Sequence, residues 1–197
     1  MLIDSFRKHI NLTLLFIAHS IYPEQPISGL IGGLDPSSGY AATVSPLGLV
    51  KPIPVESTSS EISGVALNNS GLGLLGGGGM GRSYAAFVSS NNLTPITDIL
   101  TYSHILSVAI NESGTGLLGG QILSPSPFAY ATFVSPNASP SIPFIFPKLS
   151  PILSVAINNA NLGLVGAFQS IAAFISPDAA APLPIATVPR STCPAST

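Results

Sequence analysis

One phrase recurs four times along this 197-residue chain, and it governs what the chain can fold into. It reads GLIGG at Gly29–Gly33, GLLGG at Gly73–Gly77, GLLGG at Gly116–Gly120 and GLVGA at Gly163–Ala167. A second phrase follows each copy: YAATVS from Tyr40, YAAFVS from Tyr84, YATFVS from Tyr130 and IAAFIS from Ile171. A third precedes the last three: VALN from Val65, VAIN from Val108 and VAIN from Val155. A period of about 44 residues belongs to repeat architectures, where each unit buries its apolar face against its neighbours. Residues present in every copy are therefore read as architecture, not as an active site.

The third copy, Ile105 to Pro151, shows the internal grammar. ILSVAIN alternates and is β-branched, as a half-buried strand requires. Asn111-Glu112-Ser113-Gly114 is a short turn with Gly available for positive φ. TGLLGG is a second strand, QILSPSP a variable loop, FAYATFVS a third strand, and SIPFIF a fourth after the turn at Pro136-Asn137-Ala138. Four short antiparallel strands at this period match the size of a β-propeller blade. Pro95, Pro143 and Pro184 fall in the fourth strands, where an outer edge tolerates a missing N–H. The expectation is all-β: a propeller-like array of about four four-stranded antiparallel blades, the first degraded. A β-solenoid with two rungs per copy is the alternative fold.

The array spans residues 21–188, in repeats of about 21–61, 62–104, 105–151 and 152–188, with a tail at 189–197. Residues 1–20 admit two readings. Arg7 and Lys8 precede an apolar stretch from Ile10 to Ala18, and Ala18-His19-Ser20 supplies small residues near a cleavage site, as in a short secretory signal. The same stretch also reads as a degenerate strand of a preceding repeat. It is too short to span a bilayer, so no membrane span is expected in the repeat domain.

A Gly-Gly pair followed seven residues later by Tyr, at Gly33 to Tyr40 and Gly77 to Tyr84, resembles the kelch repeat; Gly120 to Tyr130 is longer. Kelch repeats carry a Trp after that Tyr, and this chain has no Trp and no WD dipeptide of the WD40 type. The VAIN, GLLGG and YAAFVSP phrases are also similar to repetitive regions ahead of the barrel in bacterial autotransporter-type surface proteins. Both resemblances imply a propeller-type or passenger-type scaffold.

Composition narrows the function. Only 7% of residues are charged, against about 25% in an average soluble domain. The net charge of −2 leaves no electrostatic footprint for nucleic acid. Solubility must come from Ser, Thr, Asn and backbone groups, which suits an extracellular or cell-surface location. The single cysteine, Cys193, makes no internal disulfide and no metal site.

Several motifs invite chemistry. Gly71-Leu72-Gly73-Leu74-Leu75-Gly76 spells the dinucleotide fingerprint, yet it recurs from Gly114 and the next element reads as a strand, so no cofactor is expected. Gly76–Gly79 with Arg82 lacks the Gly-Lys-Ser/Thr ending of a phosphate loop. His9, His19 and His104 have no metal-ligand spacing, and the acids Asp35, Glu56, Glu61, Asp98, Glu112 and Asp178 are scattered singly in turns and linkers. The innermost strands offer only Asn68, Asn111 and Asn158 as polar groups, so no catalytic residue is expected.

What differs between copies is the segment between second and third strands: Leu34–Gly39, Gly78–Ser83, Gln121–Phe128 and Phe168–Ser170. Asp35, Arg82 and Gln121 are its polar members and the candidate binding-face residues. The expected function is a non-catalytic scaffold for binding or adhesion, with an unidentified protein or glycan ligand, self-associating if its ring is incomplete. The alternatives are an inactive fragment of a larger propeller or autotransporter passenger, and a hydrolase or lyase using a propeller cleft.

Overall fold

In the computed structural model the described residues are 29–35, 38–55, 61–79, 82–89, 92–124, 127–146, 151–167 and 171–185. The readings of residues 1–20 and of Cys193 lie outside them. Among the described residues every regular element is a strand, and no helix is long and apolar enough to cross a membrane.

Four antiparallel sheets follow one another along the chain, each a simple meander. The first joins β1 (Gly29–Asp35), β2 (Ser38–Val44) and β3 (Val50–Ile53). The second joins β4 (Glu61–Leu67), β5 (Gly73–Gly79), β6 (Arg82–Ser89) and β7 (Asn92–Pro95). The third joins β8 (Ser103–Ile110), β9 (Gly116–Ile122), β10 (Phe128–Val134) and β11 (Phe144–Phe146). The fourth joins β12 (Ile152–Ile157), β13 (Gly163–Ala167), β14 (Ile171–Ile175) and β15 (Leu183–Pro184). Pro52, Pro95 and Pro184 lie on the edge strands β3, β7 and β15, where no further strand needs their N–H, and Pro143 immediately precedes β11.

The core is not one body of side chains. It is three layers, each between consecutive sheets. Leu30, Ile62, Val65 and Leu75 fill the first; Leu74, Phe87, Ile105 and Leu118 the second; Leu117, Phe133, Ile152 and Val165 the third. The period-2 alternation of a strand explains the allocation. In β5, Leu74 joins the layer toward the third sheet, while Leu75 joins the layer toward the first. Burying a leucine in such a layer contributes about 1.5–3 kcal/mol.

The glycines of the repeated phrase are gaps into which the neighbouring sheet fits. A Cβ at Gly73 would stand 2.8 Å from Leu30 Cδ2, at Gly116 2.6 Å from Leu74 Cδ2, and at Gly163 2.8 Å from Leu117 Cδ2. Facing the other way, a Cβ at Gly76 would stand 2.5 Å from Val108, and at Gly119 2.5 Å from Val155. Each of these contacts is the same knob in the same hole, one repeat apart.

The second glycine of the pair answers a different constraint. The first strand of each complete sheet carries an irregularity at the same place, between Ile62 and Gly64, Ile105 and Ser107, and Ile152 and Ser154. The extra residue swings a carbonyl toward the second strand. A Cβ at Gly77 would overlap the carbonyl oxygen of Glu61, and one at Gly120 that of His104. These glycines neither end the strand nor turn the chain: β5 runs on to Gly79 and β9 to Ile122. The turns use Gly71 and Gly114, at φ of 80° and 85°.

Candidate functional site

The repeated asparagines stitch the copies together. The Asn68 Nδ2 donates to the Asn111 carbonyl at 3.0 Å, and the Asn111 Nδ2 to the Asn158 carbonyl at 3.0 Å. Each Oδ1 also closes its own turn, accepting from Leu72 N at 2.9 Å, Thr115 N at 2.9 Å and Leu162 N at 2.9 Å. The buried Asn68 and Asn111 amides are committed to architecture, as their recurrence implied, while Asn158 is exposed.

The opposite end of the first strands is different in each copy. Glu61 opens β4 rather than lying in a turn or linker, and His104 lies second in β8. The bulge in β4 brings Ser63 beside Glu61. Across the junction between the second and third sheets, His104 Nε2 is 3.2 Å from Glu61 Oε1 and 3.2 Å from Ser63 Oγ. The Ser63 hydroxyl in turn donates to Glu61 Oε1 at 3.0 Å. The first strands therefore carry titratable groups, contrary to the expectation that asparagines were their only polar residues. Local sequence did not signal this cluster, because its members are 41 residues apart and meet only when two sheets stack.

Behind the cluster is a buried hydroxyl network. The Ser83 and Ser103 hydroxyls lie in short contact with each other and both within hydrogen-bond distance of the Leu100 carbonyl, at 3.0 and 2.7 Å, so their two protons are shared among these partners. Ser103 also lies 3.2 Å from the Tyr130 hydroxyl. Burial pushes the Tyr130 phenol up to about 12, against the smaller opposing effect of its hydrogen bonds to Ser103 and Ser83.

The three candidate residues from sequence belong to strands, not loops. Asp35 ends β1 opposite Ser38, Arg82 begins β6 opposite Gly79, and Gln121 lies in β9 opposite Ala129. Each strand runs further than its apolar phrase, so only two residues separate β1 from β2 and β5 from β6, whereas five separate β9 from β10. All three still lie at the same end of their sheets. Gln121 also pairs with His104 across β8 and β9, which brings it beside the new cluster. Glu61 pairs with Gly78, and a Cβ at Gly78 would stand 3.2 Å from the His104 ring. Arg82 is exposed beside this point. The structure thus groups Glu61, Ser63, His104 and Gln121, with Arg82 on the rim and Asp35 one sheet away.

The geometry limits the chemistry. A serine–histidine–carboxylate relay uses the two imidazole nitrogens for different partners, one for the nucleophile and one for the acid that orients the ring. Here Ser63 and Glu61 meet the same nitrogen, Nε2. The cluster is a closed triangle that presents donors and acceptors to solvent. Among the described residues no group of His, Cys, Asp and Glu could hold a metal ion. A separate groove of about 220 Å³ between the outer parts of the second and third sheets is lined by Phe87, Thr94, Ile96, Ser135 and Pro140 and carries no titratable side chain.

Comparison with known proteins adds the fold alone. No family model matches the chain, and no curated protein matches it. Among solved structures it is similar to a protein of unknown function from Bacteroides caccae, at 15% identity and a TM-score of 0.55. The match covers 83% of this chain and 58% of the Bacteroides chain.

Proposed function

We propose that this chain is a non-catalytic binding or adhesion scaffold of β-propeller type, displayed outside the cell, which engages a protein or glycan through one end of its sheets. The propeller reading rests on the packing order: β4 lies against β8 and β8 against β12, so that first strands neighbour first strands, while the last strands, three of them proline-bearing, are edges. A radial arrangement of blades would have this packing order.

One observation carries the binding reading. The asparagines repeated in three copies serve the turns and, at Asn68 and Asn111, the stitching between sheets, whereas Glu61, Ser63, His104, Gln121 and Arg82 differ between copies and gather at one end. A rigid scaffold that varies only at one rim is how binding surfaces are commonly built. The shared nitrogen in the triangle favours hydrogen bonding to a ligand over nucleophilic catalysis. Low overall charge suits a polar, uncharged ligand such as a glycan.

An array of glycans and extracellular proteins, probed with the full chain and with the triple variant Arg82→Ala, His104→Ala, Gln121→Ala, tests this. Binding by the parent that the triple variant loses, with an unchanged circular dichroism spectrum, is the expected result. Binding retained in full by the triple variant, or turnover of an arrayed substrate, would overturn it.

A further inference from the structure

The segment that joins β7 to β8, Ile96 to Tyr102, holds two non-glycine residues at positive φ: Asp98 at 62° and Tyr102 at 57°. Asp tolerates this region, but a bulky aromatic residue there is an outlier that its surroundings must hold in place. Those surroundings are built. Ile96, Ile99 and Leu100 pack into the layer between the second and third sheets. The Leu100 carbonyl lies 3.0 Å from the Ser83 hydroxyl and 2.7 Å from the Ser103 hydroxyl. Apolar packing and buried hydroxyls together fix the turn that Tyr102 ends.

The ring held there is spent on no core. Tyr102 is 59% exposed, more than any other aromatic residue among the described residues. Its carbonyl accepts from the Leu123 N–H at 2.6 Å, which carries the β8–β9 ladder one step past Ser103 and Ile122. Leu123 is exposed as well. Single apolar residues on a surface are ordinary. This pair, however, stands two residues beyond His104 and Gln121, roughly 7 Å along each strand. The rim of the second and third sheets thus combines an apolar step, Tyr102 with Leu123, and a fixed set of donors and acceptors.

We propose that this rim holds a sugar ring, with the C–H face of a pyranose laid on Tyr102 and its hydroxyls hydrogen-bonded to Gln121, Arg82 and the Glu61–Ser63–His104 triangle. The proposal rests on the reading of the rim as a binding surface and names its ligand class and its aromatic contact. A pyranose has these two aspects, a face of C–H bonds and an edge of hydroxyls that both donate and accept. Tyrosine meets the first with a large rigid surface ordered at little entropic cost. Glu61 accepts, Arg82 donates and Gln121 does both, which matches hydroxyls better than a ligand of one charge. Backbone strain kept for an exposed ring beside such groups belongs with function and not with packing.

Two substitutions separate the ring from the fold. Tyr102→Phe keeps the ring, while Tyr102→Asn removes it and suits positive φ. The full-length parent, both variants and the triple variant Arg82→Ala, His104→Ala, Gln121→Ala are probed on an array of neutral oligosaccharides and extracellular proteins, and their unfolding temperatures are measured. The parent is expected to bind saccharides, Tyr102→Phe to stay within about twofold and Tyr102→Asn to lose about tenfold or more. Tyr102→Asn should unfold at no lower a temperature than the parent, because it relieves the backbone. Saccharide binding that Tyr102→Asn retains overturns the role of Tyr102; its loss in the triple variant would still leave the rim as the binding surface. Binding to proteins alone overturns the sugar assignment and leaves the rim reading standing. A clear fall in the unfolding temperature of Tyr102→Asn makes the ring a structural part and overturns the proposal. A parent that binds nothing on the array overturns both readings.

Discussion

The third and fourth sheets are spelled almost alike and live in different surroundings. VAIN, a glycine-leucine strand and an alanine-phenylalanine strand occur in both, with the same register and the same bulge. In the third sheet Leu117 and Phe133 are buried, and Phe133 meets the edge of Phe144 with centroids 6.3 Å apart. In the fourth, Leu164 and Phe174 face solvent. The difference is that, among the described residues, another sheet packs on the third sheet's face and none on the fourth's. Burial in this molecule is conferred by the neighbour, as expected for a quasi-one-dimensional array.

The sharpest way to break that comparison is to truncate the same side chain in both sheets. Leu117→Ala should destabilise by about 2–5 kcal/mol, since a fully buried leucine leaves a cavity between two sheets. Leu164→Ala should cost less than about 1 kcal/mol, as partly exposed positions do. Urea unfolding of dilute protein measures both, and equal losses would show that the fourth sheet is covered in the monomer.

A smaller contrast concerns the glycine pair. Gly120→Ala sets a Cβ against the His104 carbonyl and should cost about 1–3 kcal/mol through overpacking. The fourth sheet already has Ala167 at this position, so its bulge accommodates a methyl group. The reverse change, Ala167→Gly, should cost only about 0.5–1 kcal/mol through backbone freedom. If Gly120→Ala is neutral in thermal unfolding, the close-approach account fails.

The least severe test is alkaline pH. Tyr130 is held neutral up to about 12 in the folded chain, against an ordinary value of 10.0. Its folded value is raised, so its contribution is fully present below 10.0 and is lost as pH rises toward about 12. The fourth sheet has Ile171 at that position and cannot titrate there. Tyr130→Phe should make the fall of stability across this window shallower, as read from unfolding midpoints at several pH values. An unchanged slope would mean that Tyr130 is not the group responsible.

Much of the fold was legible. Alternating β-branched runs and turn residues announce short strands, and the prolines mark edges because a missing N–H is tolerated only there. The site was legible only in part. Arg82, Gln121 and Asp35 stood out because they vary on a constant scaffold, and the structure keeps them at one end of the sheets. Glu61, Ser63 and His104 did not stand out, because each is a lone polar residue near a repeat boundary. Only the β4 bulge and the stacking of two sheets make them a cluster.

By itself the sequence determined the period, the strand content and the division between repeated architecture and variable rim, because these depend on local spacing and composition. Tertiary structure decided which of several identical leucines is buried, why the second glycine tolerates no side chain, and which lone polar residues touch. Those are contacts between units about 44 residues apart, and a repeat spells its own half of such a contact without stating whether a neighbour is there to receive it.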